Sequence, residues 1–308
     1  MYWVAGVVAA IALLYVWWTK SPVPTALALA KAGGRARARK DWPAVVRLCR
    51  EAHAIAETLA EPVKTKLEAP IEIEWAAALY RLGRMSEAEE LFRRGFSRAR
   101  AAGRDGAQNP AYLIWGDLCA DEGRHPEAEQ HYRTALERDE RTGNLGMMIF
   151  DLQRVGDSLI RQGRRSEAEE VINQAIALET RVVHEQMIRE GKNPAEHHVI
   201  SWSMPDLLFC RERYEEARSV YREKVTFWEK SVTRPANIDL GRLQMRLAVA
   251  EARTGHPAEA IEMYSRAEAT YAREWCEHHP RVAAARAAKL ELMQETVGSE
   301  ARGQPAAC

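Results

Sequence analysis

No glycine-rich phosphate loop, Gly-x-Ser-x-Gly turn, His-Glu-x-x-His string or Cys-x-x-Cys pair occurs in these 308 residues. The common motifs for nucleotide binding, serine hydrolysis, zinc catalysis and thiol redox chemistry are therefore missing. The five cysteines, Cys49, Cys119, Cys210, Cys276 and Cys308, are odd in number and widely spaced, so neither a disulfide framework nor a zinc site is suggested. Net charge is also missing: 44 basic residues balance 44 acidic ones, which removes the global electrostatic case for nucleic-acid binding. Acidic residues are absent from residues 1–40, which hold Lys20, Lys31, Arg35, Arg37, Arg39 and Lys40. The remaining 268 residues carry 38 basic against 44 acidic side chains, a basic foot under a mildly acidic body.

Long uncharged runs are equally scarce, with one exception. From Tyr2 to Trp18 there are 17 uncharged residues, about 25 Å of helix at ~1.5 Å per residue, which is the short end of a bilayer span. Tyr2 and Trp3 at one end and Tyr15, Trp17 and Trp18 at the other suit the two water interfaces. Bulky VWWTKSPVP follows where a signal peptide would show small residues at a cleavage site, so residues 1–20 read as an uncleaved anchor. All six flanking basic residues lie after the span, so the expected topology is N-terminus outside and body in the cytoplasm, at a plasma or inner membrane. Lys20, Arg35, Arg37, Arg39 and Lys40 are candidates for contact with lipid headgroups, and they serve equally as a topology signal.

The strongest internal signal is a repeat. Gly-x-x-x-Glu-Ala occurs at Gly83–Ala88, Gly123–Ala128, Gly163–Ala168 and Gly255–Ala260, with a degenerate copy at Glu212–Ala217. Four residues after each alanine comes Phe92, Tyr132, Ile172, Tyr221 or Tyr264, and seven after comes Gly95, Ala135, Ala175, Lys224 or Ala267. Small, large, small at that spacing marks a helix face packed closely on a neighbour. Twelve residues before each alanine stands Ala76, Gly116, Gly156, Pro205 or Ala248, so a second helix precedes each copy. The pattern predicts helical hairpins in which the glycine ends the first helix in a left-handed conformation. The second helix is expected to begin at Ser86, Pro126, Ser166 or Pro257, the serines acting as capping hydroxyls. Ala88, Gly116, Ala128, Gly156, Ala168 and Ala260 are the expected packing points between the helices.

This arrangement resembles the tetratricopeptide repeat (TPR) family, most fully over Tyr112-Leu-Ile-Trp115-Gly116-Asp-Leu-Cys119, Ala128, Tyr132 and Ala135. Copies 40 to 49 residues apart exceed the usual 34 and look similar to the kinesin-light-chain subgroup, whose His-Pro-x-Val-Ala string is matched by His279-Pro280-Arg281-Val282-Ala283. The consensus proline after the second helix is missing. The resemblance covers about residues 64–297 and implies an all-α, right-handed TPR-type solenoid of helical hairpins, which the uncharged run from Tyr2 to Trp18 would precede with a single transmembrane helix. Its expected parts are the anchor over 1–20, a basic segment with a degenerate first hairpin over 21–63, the solenoid and closing helix over 64–297, and a disordered tail over 298–308.

A solenoid of this type implies a concave groove lined by the first helices, here by Tyr80, Leu113, Asp117, Asp157, Trp202, Asp206 and Phe209. Asp117, Asp157 and Asp206 recur at one position in three successive repeats. They either solvate an exposed face or favour a partner segment carrying Lys or Arg, with the aromatic residues as anchors. His197-His198 and His278-His279 are adjacent pairs that diverge by about 100° on a helix and read as surface or capping residues, not metal ligands. Cys119 and Cys210 read as small apolar fillers. No catalytic, cofactor or metal residues are assigned. The expected function is a non-enzymatic, membrane-anchored adaptor for a protein partner, without nucleic acid or small-molecule substrate. A structural subunit of a membrane complex, or a periplasmic or organellar assembly factor, remain alternatives.

Overall fold

The computed structural model describes residues 21–103, 109–193, 201–230 and 237–301. The predicted anchor lies outside these residues, and among the described residues no helix is long and apolar enough to cross a membrane. The described residues form thirteen helices and no strand. They fall into two compact units that divide between Ala111 and Tyr112. The first holds α1 (Val23–Ala38), α2 (Trp42–Glu57), α3 (Val63–Arg81) and α4 (Met85–Ala101). The second holds α5 (Asn109–Asp121), α6 (His125–Thr142), α7 (Leu145–Arg161), α8 (Arg165–Arg189), α9 (Met204–Cys210), α10 (Tyr214–Lys230), α11 (Asn237–Arg253), α12 (Pro257–Glu274) and α13 (Pro280–Ala301), with the start of α5 at the boundary. The described part of the chain is an all-helical, TPR-like array of hairpins.

One turn recurs between the paired helices. Gly83, Gly123, Gly163 and Gly255 take φ between 72 and 78°, the left-handed region where a side chain is strained. The residue after each turns its N–H back onto the helix just ended: Arg84 onto Leu79, Arg124 onto Cys119, Arg164 onto Leu159 and His256 onto Glu251, at 2.8–3.0 Å. These are the long bonds of the Schellman cap. The degenerate copy makes the same bond from Arg213 to Leu208, with Glu212 forced to φ 58° in place of glycine.

Three of the second helices begin one residue earlier than expected, at Met85, His125 and Arg165, while Pro257 opens its helix as expected, so Ser86 and Ser166 lie inside the first turn and cap nothing. Their place is taken by an arginine that sits before the helix and pairs with a glutamate three residues on. Arg84–Glu87, Arg124–Glu127, Arg164–Glu167 and Arg213–Glu216 approach to 2.5–2.6 Å. The glutamates also place negative charge at the positive ends of their helices.

Packing follows the small-large-small pattern. Ala88, Ala128, Ala168, Ala217 and Ala260 are fully buried, and Phe92, Tyr132, Ile172, Tyr221 and Tyr264 fill the space beside them. Each such large side chain contributes about 1.5–3 kcal/mol by leaving water. The close approach is tightest where the first helix lacks a Cβ. A methyl on Gly116 would lie 2.4 Å from the Tyr132 ring, and one on Gly156 would lie 2.9 Å from Ile172. Gly241 of α11 meets the Tyr271 ring in the same way. Lys224 occupies a small-residue position and is nonetheless buried, because Nζ donates to the Ser201 carbonyl at 2.9 Å and lies 4.6 Å from the Trp202 ring centroid. Burial pushes its ammonium down to about 8.

The last helix runs further than expected, since residues 298–301, assigned to the tail, continue α13; residues 302–308 lie outside the described part.

Candidate protein-interaction site

The aspartates expected to line an open groove are partnered instead. Asp117 is buried and accepts from the Tyr132 hydroxyl at 2.9 Å and from Arg154 of α7 at 2.7 Å. Asp206 repeats the arrangement, accepting from the Tyr221 hydroxyl at 2.6 Å and from Arg242 of α11 at 3.4 Å. In both cases the tyrosine lies fifteen residues after the aspartate and the arginine comes from a later first helix. Burial, and then the neighbouring aspartate charge, push both phenols well above their ordinary value, so they remain donors. Asp157 breaks the pattern for a visible reason. The residue fifteen places on is Ile172, which has no hydroxyl, and Asp157 is half-buried and pairs with Arg161 at 3.4 Å and with Arg246.

These arginines show how the unit is wound. Arg246 of α11 reaches Asp157 of α7, and Arg281 of α13 reaches Asp121 of α5 at 2.7 and 2.9 Å and Asp117 at 3.3 Å. The first helices of the hairpins and the closing helix thus converge on one inner face of the second unit. Tyr271, pushed to about 12 by burial, feels Arg281, Asp121, Arg242 and Arg154 together. The inner face is a network of alternating Asp and Arg, and the basic groups that were expected from a partner come from the chain itself. Burial pushes Arg246 down to about 10.

The remaining predicted groove residues are scattered. Tyr80 is buried in the first unit. Leu113 is half-buried on α5, and Phe209 lies half-buried with Arg246 4.6 Å from its ring centroid and Tyr214 and Tyr221 edge-on to it. Of the predicted groove residues, Trp202 is the exposed large aromatic, at 41%. It joins Phe227, at 55%, and Trp228 in a cluster with ring centroids 5.4–5.7 Å apart. Phe227 and Trp228 are missing from the sequence-based site; their adjacency at the end of the degenerate repeat is the signal that was available.

Among the candidate lipid contacts, Arg35, Arg37, Arg39 and Lys40 are exposed on and just after α1, with Arg37 3.2 Å from Glu74, and Lys20 lies outside the described residues. His197 and His198 also lie outside them. His279, read as a surface or capping residue, is fully buried against Trp275 at 4.1 Å between centroids. Cys49, Cys119 and Cys210 are buried, and burial raises the Cys210 thiol and pushes Cys49 to about 12, far from a reactive thiolate. His53, Glu57 and Glu68 bring one donor atom each within 4.8 Å. Arg98 already neutralises Glu68, and Arg94 and Arg98 hold Glu72 beside it, so this cluster is charge-balanced as it stands.

Residues 108–180 match the tetratricopeptide repeat family. No protein of curated function matches the sequence. Among solved structures, the apo form of RapI is similar with a TM-score of 0.58 at 14% identity, over 86% of this chain and 89% of that one. Aspartyl phosphate phosphatase F from Bacillus subtilis gives 0.57 at 14% identity, over 84% of this chain and 62% of that one. A putative kinesin light chain from Podosopora anserina with TPR-like repeats gives 0.43 at 17% identity, over 80% and 94%. For RapI and the phosphatase, at 14% identity, the likeness is one of fold.

Proposed function

We infer that the chain is a TPR-type interaction scaffold, tethered to a membrane by residues 1–20 with its body in the cytoplasm, which holds a segment of a partner protein on the inner face of its second unit. The convergence of Asp117, Asp121, Asp157, Asp206 and four arginines on one face carries this reading. A surface built of exchangeable charge pairs suits recognition of a polar peptide, and its Asp residues suit one bearing Lys or Arg. Trp202, Phe227 and Trp228 supply an apolar anchor. The preorganised hairpins leave the ordering cost with the flexible segment.

Affinity capture from membrane extracts tests this, comparing the full chain, residues 21–308, and a Trp202→Ala/Phe227→Ala variant. The expected result is one partner recovered with the full chain, membrane association lost without residues 1–20, and partner recovery reduced at least tenfold in the aromatic variant. Equal recovery by the aromatic variant contradicts the reading.

A second reading, a structural subunit making contacts through its outer faces, is favoured by α13. Leu290, Met293 and Val297, at helical spacing, are 49, 44 and 66% exposed on that closing helix.

A further inference from the structure

Arg281 shows how the inner face binds a guanidinium group. Its Nε donates to both carboxylate oxygens of Asp121 at 2.7 and 2.9 Å, and a terminal nitrogen lies 3.3 Å from Asp117 Oδ1. Its Cζ is 4.7 Å from the Trp275 ring centroid, within the range of cation–π attraction. Trp275 is held by stacking on Tyr271, with centroids 5.4 Å apart and planes 3° apart. Asp117 is oriented independently by the Tyr132 hydroxyl and Arg154. Two carboxylates, an aromatic platform and supports behind Asp117 and Trp275 make up a built guanidinium site.

The occupant is unusual in its origin. Arg281 stands in the first turn of α13, 160 residues beyond Asp121, and belongs to the helix that closes the array. Covering the last apolar face needs Val282 and Ala285, which are fully buried; it does not need a cation reaching across to α5. We propose that Asp121, Asp117 and Trp275 form an arginine-recognition site on the inner face, occupied by Arg281 in the resting chain and taken by an arginine of the partner segment on binding. The proposal rests on the inner face being the partner surface. Arg281 then acts as a latch: self-occupancy weakens binding of weak basic segments and selects those with enough further contact to displace it.

The test uses the full chain and three probes: N-ethylguanidinium, methylammonium and the peptide acetyl-Gly-Arg-Gly-amide. Arg281→Ala is expected to lower the melting temperature, and millimolar N-ethylguanidinium to recover part of the loss while methylammonium recovers less, because only a planar guanidinium presents one nitrogen to Asp121 and another to Asp117. Asp121→Asn combined with Arg281→Ala should abolish the recovery. The peptide should bind Arg281→Ala at least tenfold more tightly than wild type. If Arg281→Ala does not fold, Arg281→Lys, which keeps charge and loses the fork, serves for the same recovery. No recovery, or recovery indifferent to Asp121, overturns the site; equal peptide affinity in wild type and Arg281→Ala overturns the latch. Failure of the underlying reading looks different: the small guanidinium still rescues Arg281→Ala, while partner capture is indifferent to every inner-face substitution.

Discussion

Glu212 is the residue at which the repeat departs most plainly from its own rule. Four copies of the turn place glycine at positive φ, and this one holds a glutamate at 58°. A non-glycine residue there carries about 1–2 kcal/mol of strain. Against it stand the entropy a glycine adds to the unfolded chain, about 0.4–1 kcal/mol, and an exposed pair with Arg165 at 2.7 Å. Glu212→Gly is therefore expected to raise the unfolding free energy by about 0.5–1 kcal/mol, read from chemical denaturation; a loss of stability would show that the surface pair outweighs the strain. The glycines of the other copies were legible because only they relieve such a turn. The tyrosine–aspartate bonds were not, although the fifteen-residue offset was there to be counted. In the sequence Asp117, Asp157 and Asp206 look alike, and only the presence of Tyr132 and Tyr221 and the substitution of Ile172 separate two buried acids from a half-buried one.

At the scale of elements, the hairpins depend on helix ends and on what is buried between them. Helix α7 buries Asp151 completely, beside Asp139 of α6. Burial first, then the Asp139 charge and hydrogen bond, push the Asp151 carboxyl to about 8, with Arg154 opposing. A raised carboxyl favours folding where it stays protonated, so its contribution is complete near pH 4 and is lost as pH rises through about 8. His131, pushed to about 4 by burial against Trp115, works the other way below about pH 6.5. Lys224, at about 8, opposes the loss above that value. Between about pH 6.5 and 8 the Asp151 effect should therefore dominate, with stability falling by about 1 kcal/mol per pH unit. Melting temperatures measured over that window should decline for the wild type and much less for Asp151→Asn. Parallel slopes would place the proton elsewhere. Helix existence and order were readable from periodicity and glycine spacing, as was the start at Pro257, whereas the starts expected at Ser86 and Ser166 fell one residue late. Serine and arginine compete for that position, and the arginine–glutamate pair displaces the hydroxyl cap.

For the second unit as a whole, the main finding is that the inner face is charge-satisfied from within. The sequence shows that aspartates recur at one face of the first helices. Which cations meet them depends on how tightly the hairpins wind, a tertiary property set by close approaches such as Gly116 on Tyr132 and Gly241 on Tyr271, and no local pattern encodes it. The string His279–Ala283, notable in the sequence for its family resemblance, delivers Arg281 to α5, which neighbouring residues alone could not suggest. The same winding is what gives the TPR-like array a candidate recognition surface in place of a row of exposed acids.

A double-mutant cycle between Asp121 and Arg281 tests that account most directly. The two residues can interact only if α13 closes onto α5 within the unit. Unfolding free energies of wild type, Asp121→Asn, Arg281→Ala and the double variant are expected to give a coupling of about 0.5–3 kcal/mol. Additivity of the two single changes to within about 0.3 kcal/mol would mean that the inner face is open and that the closing arginine does not reach it.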